Sequence, residues 1–315
     1  MSIQDIKIGE NIENLLCAIT SISTGITKTD KEYMRFVLSD NSGEIQAVCW
    51  DLEKEFKELK EGQVVEVEGT CNEYREEKQF KITNIKPTSK DYDISVLLPV
   101  EQNINLDKLE LKFSNFINKR IKNLTLSWTV RYLLNKVWDK YKRVPASSKI
   151  HHNYLGGLLC HVCQMLEIAE QVICVWPDLN SDLIYSGIIL HDFGKVWEYE
   201  IVPGFPRSDF GKLNGHICIC WGEIYKSIDE GKKYFETLDW IWDDNLIAKL
   251  QSIIVTHHGN RDWGSPEIPK FAEATVVFAL DLLSARTEGY LSLIRKSSNA
   301  WTPRISYYDT EIYTK

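Results

Sequence analysis

Between residues 10 and 86 apolar and polar side chains alternate in short runs, NLLCAITSIS, EYMRFVLSD, EIQAVCW, QVVEVEGTCNEY and QFKITNIK, separated by turn-forming stretches such as DNSGE and KEGQ. A period of two marks strands with one face in a core. Five short strands with one helical insert, DLEKEFKELK, predict a small, partly open β-barrel. Periodicity is lost in PTSKDYDISVLLPVEQNIN, which reads as a linker, and from about residue 106 the pattern turns helical, punctuated by Pro145, Pro177, Pro203, Pro206, Pro266 and Pro269. The expected organisation is multidomain α+β: a five-stranded barrel over 1–88, a linker over 89–105 and an all-α domain over 106–315.

Length and composition agree with two domains: 315 residues, 43% of them hydrophobic, supply ample core. The eight cysteines have neither a small-scaffold nor a zinc-ribbon spacing and read as packing thiols. No run of eighteen apolar residues and no basic-then-apolar leader is visible, so the expected setting is cytoplasmic, with no membrane partner. A net charge of −8 argues against a nucleic-acid partner until its distribution is considered. Residues 106–150 carry 11 Lys and Arg against 3 Asp and Glu, a net of +8 that leaves −16 on the other 270 residues. That strip suits either a path for a polyanion or an ordinary solvated helix face.

The barrel region resembles nucleic-acid-binding OB domains in RFVLSDNSGEIQAVCWD, with its Asp-x-x-Gly turn and a strand ending in Trp50, and in LKEGQVVEVEGTCNEYREEKQFKITNI. Such barrels stack bases of a single strand on exposed aromatics and hold phosphates with cations. Tyr33, Phe36, Trp50, Tyr74 and Phe80 are the stacking candidates, each at a strand spacing that equally suits the core.

All seven histidines fall within 108 consecutive residues. His161 shares a helical stripe with Met165, Ile168 and Val172; His191 follows Ile184 and Ile188, with Asp192 one step around and Lys195 a turn beyond. His257 follows Leu246, Leu250 and Ile253, and Asp281 follows Phe271, Ala274 and Phe278. One buried histidine means little, but several apolar stripes that each end in a donor predict convergence on a cation. Imidazole with carboxylate suits Mn²⁺, Fe²⁺, Co²⁺ or Zn²⁺, and the expected cofactor is one or two divalent ions, manganese first.

The series His161, His191-Asp192, Asp281 resembles the HD-domain metal-dependent phosphohydrolases. With IHHNYLGGLLCHVCQMLEIA, LIYSGIILHDFGKVWEY, NGHICICWGEIY and IIVTHHGNRDWGSPEIPKFAEATVVFALDLLSA behind an OB-like front, the chain resembles the YhaM-type 3′-to-5′ exoribonucleases over nearly its whole length. It departs from the pattern at Cys160, where an acidic residue is usual, at Phe193, where isoleucine is usual, and at Ser284, near the place of a second aspartate. The resemblance implies an HD-type helical bundle with its metal site over 151–290. It implies one ion on His161, His191, Asp192 and Asp281, with Asp192 bridging, and His216, His257 and His258 on a second ion or on phosphate. Lys195 would steady phosphate or leaving group, and of His151 and His152, which precede a Gly-Gly turn into the His161 helix, at least one would contact substrate phosphate, a capping or surface role being the alternative. The implied activity is 3′-to-5′ hydrolysis of single-stranded RNA, with single-stranded DNA as an alternative and a homo-oligomer as a possible assembly. The rival readings are a nucleotide or cyclic-nucleotide phosphohydrolase and a non-catalytic nucleic-acid-binding protein.

Overall fold

The computed structural model describes residues 1–52, 54–74, 77–101, 104–147, 152–297 and 299–315. The chain divides into two compact units, Met1–Gln102 with Glu200–Pro206, and Asn103–Tyr199 with Arg207–Lys315.

The first unit is built on β1 (Asn11–Ile26), β2 (Glu32–Asp40), β3 (Gly43–Cys49), β4 (Val64–Tyr74) and β5 (Glu77–Pro87). They close into a barrel in the order β1-β2-β3-β5-β4, where a partly open one was expected. Closure comes from the 16-residue β1. Its C-terminal half pairs with β2 and its N-terminal half with β4, and irregularities at Ile12/Leu15 and Ile19/Ser21 bend it between the two partners. Alternation then sorts side chains by face. Met34, Phe36 and Leu38 of β2 point inward beside Ile19, Val67 and Phe80. In the turn after β2, Asp40 Oδ1 accepts the amides of Ser42 (2.8 Å) and Gly43 (3.2 Å), which accounts for the Asp-x-x-Gly spacing. The expected helical insert is only a 3₁₀ turn, Lys54–Glu58, and Phe56 and Leu59 join the barrel core. Much of the expected linker also packs: Leu97 is buried with Ala18 and Val64, and the Val96 carbonyl accepts the Asn41 amide at 2.9 Å. Its lack of period reflects irregular backbone, not a lack of contacts.

The second unit is helical: α1 (Leu106–Arg120), α2 (Leu124–Tyr141), α3 (Gly157–Val175), α4 (Ser181–Leu190), α5 (Lys195–Glu198), α6 (Asp209–Glu236), α7 (Asp244–Thr256) and α8 (Ala272–Lys296). Asparagine or aspartate side chains cap the first turns of α1, α2, α4 and α7. Among the described residues α3 alone is long and apolar enough to cross a membrane, and half of its apolar window is buried in the unit. Its residues Leu158, Val162, Met165 and Ala169 are fully enclosed, with His161 among them. The basic strip on α1 and α2 is partly neutralised locally: Lys112 pairs with Glu167, Arg120 with Glu170 and Lys142 with Glu110.

Candidate metal centre

The apolar stripes end in histidine because of how the helices end. The last carbonyls of a helix lack intrahelical donors, and a histidine just past the end can supply one. His191 follows α4 and bonds through Nδ1 to the Ile188 carbonyl at 2.8 Å; His257 follows α7 and bonds through Nδ1 to the Ile254 carbonyl at 2.7 Å. A carbonyl only accepts, so Nδ1 carries the proton and Nε2 keeps a lone pair. His258 bonds in the same way to the Trp263 carbonyl at 3.1 Å.

His216 comes from α6, where Gly215 (φ +68°) breaks the helical path just before it. Its Nδ1–H donates to Glu198 Oε2 at 2.9 Å, and Arg207 Nε donates to Glu198 Oε1 at 2.8 Å. Gly194 lets this segment approach: a Cβ there would stand 2.0 Å from the His216 carbonyl oxygen. Gly194 itself has ordinary helical dihedrals, so what it serves there is close packing. On α3, His161 Nδ1 donates to Ser284 Oγ at 2.9 Å, and that hydroxyl donates onward to Gln164 Oε1 at 3.2 Å.

These supports aim the donors into one space. His161 Nε2 lies 3.2 Å and His191 Nε2 3.8 Å from Asp281 Oδ1, making one group of three ligand atoms. His216, His257 and His258 make the other. Asp192 stands between them: Oδ2 is 3.2 Å from His191 Nε2, while Oδ1 is 3.3 Å from His216 Nε2 and 3.8 Å from His257 Nε2. Nε2 of His191, His216 and His257 and Oδ1 of Asp192 are buried without a hydrogen-bond partner among the described residues. Buried lone pairs aimed at one another are costly unless something positive lies between them, so this donor set fits a divalent cation.

The local electrostatics favour the same occupant. Burial holds His161, His257 and His258 below the usual histidine range, and so neutral at pH 7. Burial also acts to lower His191, but the Asp192 and Asp281 carboxylates outweigh it and raise that one. Burial works against ionisation of Asp192 and Asp281; Lys195, His191 and His216 around the first, and His161 and His191 around the second, hold both below the ordinary carboxylate range. Lys195 Nζ donates to Asp192 Oδ2 and to the Ala146 carbonyl, both at 2.5 Å, and the carboxylate outweighs burial to push the ammonium up to about 12. Two of its three donors are thus committed, leaving one for a molecule in the adjoining pocket.

The structure brings together His161, His191, Asp192, Lys195, His216, His257, His258 and Asp281. It does not bring His152 to a substrate. That ring is buried at 2% exposure, with Nδ1 on the Tyr154 hydroxyl at 2.7 Å and Nε2 on Gln164 at 3.0 Å. It therefore buttresses the Gln164–Ser284–His161 chain, and the expected phosphate contact is corrected. His151 lies outside the described residues. Nothing in the sequence pattern marks Glu198 or Gln164, and Ser284 stands out there only as a departure from the family pattern.

On the barrel, the Tyr33 and Trp50 rings lie 4.8 Å apart on the outer face, with the Arg35 guanidinium 5.1 Å from the Tyr33 ring. Tyr74 is exposed at the end of β4. Phe36 and Phe80, at 1% and 0% exposure, are core residues with no face for a base, which corrects their candidacy.

Comparison with known proteins supplies the family. The 3′-5′ exoribonuclease YhaM of Bacillus pumilus strain SAFR-032 is 32% identical over 285 residues, 89% of this chain and 86% of that protein. That of Listeria innocua serovar 6a is 34% identical over 284 residues, 89% and 87% of the two chains. The chain belongs to the YhaM 3′-5′ exoribonuclease family. Residues 18–88 match the OB-fold nucleic acid binding domain family. The second OB-fold domain of replication protein A from Methanococcus maripaludis aligns with 30% of this chain and 98% of its own at 17% identity, with a TM-score of 0.24.

Proposed function

We propose that this chain is a metal-dependent 3′-to-5′ exoribonuclease of the HD type that shortens single-stranded RNA to nucleoside monophosphates. The observation that carries the chemistry is Asp192, whose two oxygens face two separate histidine groups. His161, His191, Asp192 and Asp281 would hold one ion, and His216, His257 and His258 with the far oxygen of Asp192 a second. Manganese is the expected metal, since nitrogen and carboxylate donors are mixed and no thiolate joins them. When bound, such ions bring a water molecule's pKa toward neutrality and stabilise the charge that gathers on a phosphodiester under attack. The protein's own part is to keep Asp192 ionised through Lys195, to fix each imidazole by its Nδ1 bond, and to offer the spare Lys195 donor to a phosphate oxygen.

Membership of the family and the OB domain support a nucleic-acid strand as substrate. Tyr33 and Trp50 would hold it by stacking. Stacking reads bases and not sugars, so single-stranded DNA is the second substrate to test, and the cytoplasm is the compartment proposed for the activity. The test uses oligoribonucleotides labelled at either end with Mn²⁺ present. A 5′ label should mark a ladder of shortening products, and a 3′ label should leave at once as a mononucleotide. Intact RNA after long incubation rejects the activity, and early loss of the 5′ label as mononucleotide rejects the polarity.

A further inference from the structure

Beside the metal centre lies a pocket of about 390 Å³ whose floor includes Asp192, Lys195, His257, His258 and Asp281. Its wall holds Trp263, Arg286 and Tyr307, none of them among the donors described above. We propose that this wall binds the 3′-terminal nucleotide of the substrate, with Trp263 and Tyr307 as platforms for the base and Arg286 as the cation for a backbone phosphate. The inference rests on the exoribonuclease reading and adds to it the group that recognises the strand end.

Three observations carry it. Trp263 and Tyr307 are 49% and 56% exposed, so about half of each ring is open, and among the described residues they make no ring contact with each other. Each is nevertheless fixed. The Trp263 carbonyl accepts the Nδ1–H of His258 at 3.1 Å, which ties the platform to the metal centre by one hydrogen bond. Tyr307 sits in the C-terminal segment that folds back after α8, where its neighbour Tyr308 is buried edge-on against Tyr290 at 4.8 Å. The segment itself is held by bridges between Trp301 and Tyr313 and between Ile305 and Thr310. A large aromatic that is anchored by its backbone or its neighbour, with its ring left open, is what a base needs for stacking.

The cation is the second observation. The Arg286 guanidinium lies 5.9 Å from the Trp263 ring centroid and has no carboxylate partner among the described residues, unlike Arg295 nearby, which pairs with Glu288. An unneutralised guanidinium beside an aromatic suits a phosphate next to a stacked base.

Size is the third. A pocket of about 390 Å³ is at the small end of ligand sites, which span roughly 300–1,000 Å³. It has room for one nucleotide and not for a run of strand, which fits removal of residues singly from an end.

The test compares the full chain with Trp263→Ala, Trp263→Phe, Tyr307→Ala, Tyr307→Phe and Arg286→Ala, with Mn²⁺ present. The substrates are two oligoribonucleotides that differ only at the 3′ end, one with a normal terminal nucleotide and one with an abasic residue. The unaltered enzyme should remove the base-bearing residue with a kcat/KM on the order of ten-fold higher, as one stacked base implies. Each alanine variant at Trp263 or Tyr307 should lose most of that ratio and each phenylalanine variant should keep it. Arg286→Ala should weaken both substrates equally and flatten the salt dependence of KM. A ratio near one in the unaltered enzyme, or a ratio that survives both alanines, overturns the pocket assignment while leaving the exonuclease standing. Failure to degrade either oligonucleotide overturns both.

Discussion

Glu198 Oε2 accepts the Nδ1 proton of His216 at 2.9 Å, and this one bond decides which nitrogen of that ring faces Asp192. The carboxylate thereby fixes the tautomer and the orientation of the ring, and it is itself held by Arg207. Glu198→Gln keeps the shape but removes the charge and lets the amide offer a donor where an acceptor is needed. Metal affinity and turnover should fall about 10- to 100-fold. The check is the Mn²⁺ concentration giving half-maximal RNA hydrolysis, read beside the metal content of purified protein; an unchanged Mn²⁺ dependence would show that His216 needs no such support.

Gly194→Ala tests the approach of α6 to the turn after α4. The added Cβ would meet backbone, the His216 carbonyl oxygen at 2.0 Å, so no side-chain rotation relieves it. The expected cost is about 1–3 kcal/mol or more of stability, with His216 displaced and fewer ions bound per chain. Thermal unfolding and metal analysis report the two effects separately. A variant with normal melting and full metal content would mean that the segment yields easily.

Much of this site was legible because a period is visible without coordinates. Helical stripes placed His161, His191, His257 and Asp281 on inward faces, and the same logic gave the five strands. What stayed hidden depends on contacts between separate elements. Glu198 looks like any helix glutamate until Arg207 and His216 are seen on either side of it. Ser284 read as a lost acid, but it accepts from His161 Nδ1. His152 is a phosphate candidate by its place just before the His161 helix, and only the fold shows that its two nitrogens bond to Tyr154 and Gln164. On the barrel, a period of two cannot say which face is inward, so Phe36 and Trp50 looked alike until their exposures, 1% and 37%, separated them.

Acid should destabilise the metal-free protein in two stages. His161, His257 and His258 are held below their ordinary value of 6.5, so as pH falls past 6.5 the unfolded chain binds protons that the folded one refuses, and stability drops. His191, raised by its carboxylates, works the other way: its contribution is complete below 6.5 and is lost as pH rises through its folded value. Three groups against one leave a net loss on acidification. Asp192 and Asp281, held below 3.8, and Glu198, held below 4.5, add a second, steeper loss below about pH 4.5. Each unmatched proton is worth about 1.4 kcal/mol per pH unit. Urea midpoints at pH 7.5, 5.5 and 4 after chelation measure this, and a midpoint unchanged between 7.5 and 5.5 would contradict the first stage.

Replacing Trp50 or Tyr33 by alanine should separate holding from cutting. Both residues sit on the barrel, and neither is among the donors that surround Asp192. Loss of one stacked base costs about 1–3 kcal/mol, so KM for a long single-stranded RNA should rise roughly 5- to 150-fold with kcat little changed. The two differ in one respect. Tyr33 also lies over Gly25, where a Cβ would come within 2.5 Å of its ring, so its removal uncovers backbone on β1 and should lower the melting temperature as well. Trp50→Ala, just past the end of β3 and packed on the outer side of Tyr33, should lower melting less. A dinucleotide, which offers no length of strand for the barrel to hold, should be cut equally well by both variants and by the unaltered enzyme; a matching loss on the dinucleotide would mean that these rings do not act by holding the strand.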